Sequence, residues 1–343
     1  MILKKSLKKI REFLENSQNP VFFFDNDQDG LCSFLLLRKF LGRGKGVAVK
    51  SAPMTKEYFR RIVEFNSDAI FILDVPEVSK DFFEKAEEVN LPVIMVDHHD
   101  VNKKNIPKFV NYYNSFSEKK KQGEPVTYVC YKISEKKEDL WLGVIGCISD
   151  RFIPDFYDDF LEQFPELGKI SKDAFDIFYN SDIGKIARIF GAGLKDRTTN
   201  VMNMIRFAIK SKSPYDFLNE SKENSVFYKR FEEINSKLNK FVEKAKLNVK
   251  GNILFFKYAG DTSMSADLSN KLSHLFFDKV IVVAYVKGNL VNISIRGESI
   301  KSKVLKVIDK IENARGGGHN NAVGVQMNLE SLDFFVEELR REI

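Results

Sequence analysis

The chain is short of cysteine, proline and tryptophan: its 343 residues include three Cys, nine Pro and one Trp. Cys32, Cys130 and Cys147 are odd in number, widely spaced and form no CxxC pair, so neither a disulfide framework nor a zinc site is expected. They read as buried free thiols. No apolar run approaches the ~18 residues that span a bilayer, so no membrane partner is expected. The N-terminal MILKKSLKKIREFLEN carries charges throughout its apolar pattern, unlike a secretory signal, and a soluble cytoplasmic protein is the expectation. A strong excess of one charge is missing too. Against 54 Lys and Arg stand 48 Asp and Glu, and the balance of +6 permits a polyanionic partner without demonstrating one. Basic clusters such as Lys4-Lys5, Lys8-Lys9 and Lys119-Lys120-Lys121 read as solvated faces.

What is present is the make-up of a folded chain, 43% hydrophobic and 30% charged, which excludes general disorder and low complexity. Its length suits about two domains. Residues 2–14 place Leu3, Leu7, Ile10 and Leu14 at helical spacing. Apolar runs follow at Val21-Phe22-Phe23-Phe24, 47–49, 69–73 and 93–96, separated by helical patterns near 31–42, 55–65 and 79–89. Short apolar runs alternating with helices predict buried parallel strands with helices on both faces, a doubly wound α/β sheet. From about 155 to 247 strand-like runs disappear and charged helical patterns dominate, as in 227–247. Strands return at 253–256, 280–285 and 291–295, the last two forming a hairpin around Lys287-Gly288-Asn289. A helix near 301–313, a glycine cluster, a strand near 322–327 and a helix near 330–341 complete a second, smaller α/β domain. The expected division is a catalytic domain over 1–215, a helical connector over 216–247 and a second domain over 248–343.

Acidic or acid-histidine groups follow four strand candidates. Asp25-Asn26-Asp27-Gln28-Asp29-Gly30 follows VFFF, Asp74 follows AIFIL, Asp97-His98-His99 follows VIMV, and Asp150 follows the apolar segment 140–148. Open α/β sheets bind ligands beyond the carboxyl ends of their strands, so these distant residues can share one pocket. A calcium loop is excluded: counted from Asp25, the twelfth position is Leu36 rather than Glu, and a strand precedes it. Three carboxylates within five residues repel one another unless cations compensate. Oxygen and imidazole ligands without thiols suit Mn²⁺ or Mg²⁺ rather than structural zinc. Two such ions sharing a carboxylate would activate water and neutralise a phosphate in flight.

In their order, these motifs resemble those of the DHH phosphoesterase superfamily, and Gly316-Gly317-Gly318-His319 resembles the signature of the DHH-associated domain. The resemblance runs from 25 to 324 and is greatest to RecJ-like exonucleases, including the small archaeal helicase-associated nuclease. It implies manganese-dependent hydrolysis of single-stranded DNA or RNA from an end, with 3′ to 5′ slightly favoured, and a helicase or replication-repair protein as a possible partner. Carried over, Asp27 and Asp74 hold one metal, with Asp25 completing its shell or orienting its water. Asp29, Asp74, His98 and Asp150 hold the other, so Asp74 bridges. His99 either contacts the scissile phosphate or anchors its loop, and Asp97 orients an imidazole. Several branches have a metal-binding histidine where this chain has Phe23.

The second domain is expected to recognise phosphate. Consecutive glycines admit a ligand close to the backbone, Arg315 and His319 flank them, and Ser294 and Arg296 match the family's Ser-x-Arg element. The alternatives are an oligoribonuclease or 3′-phosphoadenosine phosphate phosphatase, a cyclic-dinucleotide phosphodiesterase, and a catalytically inactive replication scaffold.

Overall fold

Val21 to Phe24 are fully buried and form the centre of β1 (Pro20–Asp25), the strand around which the first sheet is built. The computed structural model describes residues 2, 4–50, 53–119 and 123–343; Leu3 and the Lys120-Lys121 part of the basic cluster lie outside the described residues. The chain divides into two compact units, Met1–Phe231 and Glu232–Ile343.

In the first unit, β2 (Lys45–Val49), β3 (Ala69–Leu73), β4 (Val93–Asp97) and β5 (Asn111–Asn114) join β1 in a five-stranded sheet ordered β2-β1-β3-β4-β5, every pairing parallel. Strands covered on both faces read as unbroken apolar runs, which is why β1, β3 and β4 stand out in the sequence. The Asn-Tyr-Tyr-Asn of β5 carries no such signal.

Helices cover both faces. Val21, Phe23, Ile70, Ile72, Val93 and Met95 point to one side, where they pack with Phe59 and Ile62 of α3 (Phe59–Phe65) and Phe82 and Phe83 of α4 (Lys80–Glu88), counting α1 as Lys4–Asn16 and α2 as Gln28–Leu41. On the other side Phe22 and Phe24 meet Phe34 of α2 at ring separations of 5.6 and 5.0 Å. Behind α2 stand α5 (Val126–Ser134) and α6 (Leu140–Ser149). The segment 140–148, read from sequence as a strand candidate, is therefore a helix. Leu140 through Ile148 are buried all round, and a helix apolar on every side shows no periodicity that separates it from a buried strand.

Shorter helices follow: α7 (Tyr157–Gln163), α8 (Ala174–Asn180), α9 (Asp182–Leu194), α10 (Thr198–Lys210) and α11 (Tyr215–Leu218). Most of the expected connector is one helix, α12 (Ser225–Lys246), and the division between the units falls within it.

The second unit is a six-stranded mixed sheet ordered β10-β11-β9-β8-β7-β6. Its elements are β6 (Val249–Lys250), β7 (Ile253–Ala259), α13 (Ser265–Leu275), β8 (Val280–Lys287), β9 (Leu290–Arg296), α14 (Ile300–Ile308), β10 (Arg315–His319), β11 (Ala322–Asn328) and α15 (Leu332–Glu342). Only β7 and β8 pair in parallel. Gly288, at φ 59°, makes the two-residue turn between β8 and β9. One face buries Ile293, Ile295, Val323 and Val325 against α14 and α15; the other buries Leu254, Ile281 and Val283 against α13 and Leu238 and Val242 of α12. Among the described residues, no helix is long and apolar enough to cross a membrane.

Candidate metal centre

Because β2 and β3 flank β1 on opposite sides, the chain leaves the ends of β1 and β3 in different directions and opens a crevice at their carboxyl ends. Asp25 closes β1 there, half-buried. Asp27 caps α2, its Oδ1 accepting a hydrogen bond from the Gly30 N–H at 2.9 Å. The helix starts so close to the strand that a Cβ on Gly30 would overlap the backbone of Asp25. That crossing explains the glycine ending the Asp-rich motif.

Asp29 lies in the first turn of α2 and is 1% exposed. Its two carboxylate oxygens accept the backbone N–H groups of Val126 and Thr127 at 2.8 and 2.7 Å, the first residues of α5. The Thr127 hydroxyl donates to the Asp29 carbonyl at 2.8 Å. An aspartate on one helix thus satisfies the orphan donors, and faces the positive end, of another.

Asp74 follows β3 in a left-handed conformation, φ 63°, sparsely populated by residues with a side chain. Its N–H still donates to Val96 O at 3.0 Å, so the sheet bonding runs to the edge of the crevice. His98, just beyond β4, is buried, and its Nε2 lies 3.2 Å from Asp74 Oδ1, 3.5 Å from Asp150 Oδ2 and 3.9 Å from Asp29 Oδ2. The ring also hydrogen-bonds the backbone of Gly123. Asp150 arrives at the C-terminus of α6.

The electrostatics are those of carboxylates buried beside one another. Burial, and then the charges of neighbouring carboxylates, push Asp25, Asp27 and Asp29 up to about 7 and Asp74 well above its ordinary value. Burial holds His98 below its ordinary value, which keeps it neutral. Buried Asp74 Oδ1 has no hydrogen-bond donor among the described residues, although Nε2 of His98 faces it. A neutral imidazole whose other nitrogen is hydrogen-bonded presents a lone pair, so two electron-rich atoms oppose each other. A divalent cation would satisfy both, and oxygen with imidazole is a donor set suited to Mn²⁺ or Mg²⁺.

Among the described residues of the first unit, three groups offer ligand atoms within 4.8 Å of one another: Asp25, Asp27 and Asp74; Asp29, Asp74 and His98; and Asp74, Asp97 and His99. Asp74 belongs to all three. His99 Nδ1 lies 2.8 Å from Oδ1 of fully buried Asp97 and 3.7 Å from Asp74 Oδ1. Asp97 also accepts from the Tyr112 hydroxyl at 3.3 Å and Asn114 Nδ2 at 3.4 Å. Burial opposes a charge on His99, but the Asp97 hydrogen bond and the surrounding carboxylates prevail and raise it to about 9. Phe23 is buried in the opposite direction, edge-on to Tyr58 and Phe82, and offers nothing to the crevice.

The residues expected to bind phosphate all lie in the second unit. Gly316, Gly317, Gly318 and His319 form β10, an edge strand paired with β11, where a ligand-cradling glycine cluster was expected. Ser294 donates to Ser265 Oγ at 2.9 Å, and Arg296 Nε donates to Asn270 Oδ1 at 2.6 Å, so both are braced by α13. Sequence reasoning missed Thr127, Gly123, Tyr112 and Asn114, which hydrogen-bond Asp29, His98 and Asp97. Pro125 ahead of a helix start was the available signal for α5; nothing in the sequence marks the others.

Comparison with known proteins accords with this architecture. Residues 21–143 match the DHH family, N-terminal domain, and residues 248–343 match the DHHA1 domain. The chain belongs to the DHH phosphoesterase superfamily and has a RecJ-like fold. RecJ from Thermus thermophilus, crystallised with Mn²⁺, matches at TM-score 0.69 and 14% identity over 99% of this chain, which spans 55% of that protein. A manganese-bound exonuclease RecJ matches at TM-score 0.63 and 14% identity, covering 99% of this chain and 94% of that one. CDC45 from Entamoeba histolytica matches at TM-score 0.52 and 12% identity, covering 100% and 99%. No curated protein matches the sequence. The DHH family is a class of metal-dependent hydrolases.

Proposed function

We propose that the chain is a metal-dependent exonuclease that hydrolyses phosphodiester bonds at the ends of single-stranded DNA or RNA, with 3′ to 5′ the favoured direction. The observation that carries this reading is Asp74, buried, its Oδ1 short of a donor, and common to three ligand groups. Asp25, Asp27 and Asp74 would hold one Mn²⁺ or Mg²⁺; Asp29, Asp74, His98 and Asp150 would hold the second. Paired divalent ions supply an activated water and neutralise charge on a phosphoryl group undergoing displacement. The protein's part is placement. Asp29 is clamped by the start of α5 and His98 by Gly123, so their ligand atoms hold their positions. His99, positively charged and 20% exposed at its side chain, would either contact the phosphate or anchor its loop, with Asp97 orienting its ring.

Residues 1–215 form the catalytic part and 248–343 the substrate-binding part in this reading. Ser294, Arg296, the Gly316-Gly317-Gly318 strand and His319 would grip the terminal or neighbouring phosphate. The RecJ likenesses support the choice of substrate. The CDC45 likeness leaves room for a helicase or replication-repair partner, and cytoplasmic residence is part of the proposal. A purely scaffolding role is disfavoured because each carboxylate and the imidazole of the ligand groups are present.

DNA and RNA strands labelled at one end or the other, digested with Mn²⁺ and then Mg²⁺, test the proposal; the order of labelled fragments reads direction and substrate together. Asp74→Asn and Asp29→Ala are expected to lower turnover about a thousandfold or more, a loss of about 4 kcal/mol of transition-state stabilisation. Near-normal hydrolysis by either variant would contradict the site.

A further inference from the structure

Arg151 follows Asp150 at the end of α6, where Ile148 O accepts the Arg151 N–H at 3.3 Å and Cys147 O accepts the Phe152 N–H at 2.9 Å. Such bonding closes a helix through one residue in the left-handed region, and Arg151, at φ 57°, is that residue. Glycine or asparagine is the ordinary occupant, as Gly42 is after α2 and Asn66 after α3. A long side chain there strains the backbone. Glu135 does the same after α5, so the strain by itself assigns nothing.

Position and surroundings set Arg151 apart. The side chain of Asp150 is 28% exposed, against 1% for Asp29 and 2% for Asp74, so the crevice opens on this side. Arg151 is exposed, and its guanidinium carbon lies 5.0 Å from the centroid of the buried Phe175 ring in α8. Phe152, the next residue, meets the ring of Tyr128 edge-on at 5.6 Å, and Tyr128 follows the Thr127 that clamps Asp29. The turn 150–152 is pinned from both sides, which fixes the guanidinium relative to the ligand groups.

Other arginines of this unit are engaged: Arg61 Nη1 with Glu64 at 2.6 Å, Arg43 Nε with Ser17 O at 2.8 Å, and Arg188 Nη1 with Phe178 O at 2.5 Å. The guanidinium of Arg151 has the Phe175 ring and, among the described residues, no hydrogen bond or ion pair. A ring attracts a cation without using its N–H donors, so these stay available. A strand approaching a crevice crowded with carboxylates is repelled, and a cation at the mouth counters that repulsion. Free guanidinium donors fit a phosphate in a two-pronged manner that a lysine lacks.

We infer that Arg151 is a phosphate contact of the substrate strand: held over Phe175 at the mouth of the crevice, it grips the phosphodiester next to the one at the metal ligands. The inference rests on the nuclease reading above. Direction decides which phosphate it takes. Asp150 Oδ2 turns inward, 3.5 Å from His98 Nε2, whereas the Arg151 side chain turns to α8, so the two residues meet different parts of the strand.

The test is anisotropy titration of the full chain with a short labelled oligothymidylate, using Ca²⁺ in place of Mn²⁺ to keep the strand uncut. Arg151→Gly should bind about tenfold or more weakly, with a salt slope shallower by about 1. It should melt no lower than wild type, because glycine suits the left-handed turn. Arg151→Lys keeps the charge without the fork and should recover most of the salt slope but only part of the affinity. With Mn²⁺, the loss on the oligonucleotide should fall on KM more than on kcat. It should also exceed the loss on bis(p-nitrophenyl) phosphate, a phosphodiester without a neighbour. A lower melting temperature with unchanged strand affinity would make Arg151 a packing residue and overturn the inference. An equal loss on both substrates, or a wild type that binds no strand at low salt, would overturn it too. Arg151-dependent binding without hydrolysis would remove the nuclease reading and keep the contact; hydrolysis with affinity and KM untouched in Arg151→Gly would do the reverse.

Discussion

Asp97 shows how much a single side chain organises here. It is fully buried, lies at the end of β4, and accepts hydrogen bonds from His99, Tyr112 and Asn114. Asn114 Nδ2 donates as well to His99 O at 2.9 Å, which ties the loop after β4 to β5. Asp97→Ala leaves several donors without a partner and should cost about 1–3 kcal/mol of stability. Urea denaturation checks this, and Asp97→Asn should recover part of the loss; a midpoint identical to wild type for the alanine variant would contradict the network. The acidic residues and both histidines were legible from type and spacing alone, because few other roles place three aspartates in five positions. Tyr112 and Asn114 were not. They belong to a strand without an apolar run, and their partner is distant in sequence.

At the scale of elements, close crossings decide where the ligands stand. α2 meets β1 at Gly30, and α6 meets α5 at Gly146, where a Cβ would overlap the Thr127 side chain. Gly30→Ala and Gly146→Ala should each destabilise the protein by about 1–3 kcal/mol through overpacking. Both should also weaken Mn²⁺ binding, since the first displaces Asp27 and Asp29 and the second displaces Asp150 together with the helix start that holds Asp29. Melting curves combined with Mn²⁺ titration read the two effects; unchanged metal affinity in destabilised variants would show that the crossings matter for packing alone. The strands β1, β3 and β4 were readable because each is a run of apolar residues ended by an acid. The helix at 140–149 was not, since nine apolar residues in a row fit either element and only its packing against α2 and α5 separates them. Gly316 to His319, a glycine cluster with no element assigned to it from the sequence, pair with β11 as an edge strand.

For the whole molecule, the strand order is the governing feature. With β1 between β2 and β3, the ends of β1, β3 and β4 come to one rim, and residues from Asp25 to Asp150 share a crevice crowded with negative charge. Metal removal therefore acts on the stability of the fold. EDTA should lower the melting temperature and Mn²⁺ or Mg²⁺ restore it, by about 2.7 kcal/mol at one hundred times the dissociation constant. Scanning calorimetry checks this, with Asp74→Asn expected to lose the response; identical melting with and without the ions would argue against a bound cation. The order of the acidic motifs, the alternation of strands with helices and the two-part organisation were determined by the sequence itself, because chemistry and periodicity are local properties. Tertiary structure alone decided that Asp74 is shared by the ligand groups and that the start of α5 clamps Asp29. Each depends on which strands are neighbours and which backbones touch, and such proximity has no signature along the chain.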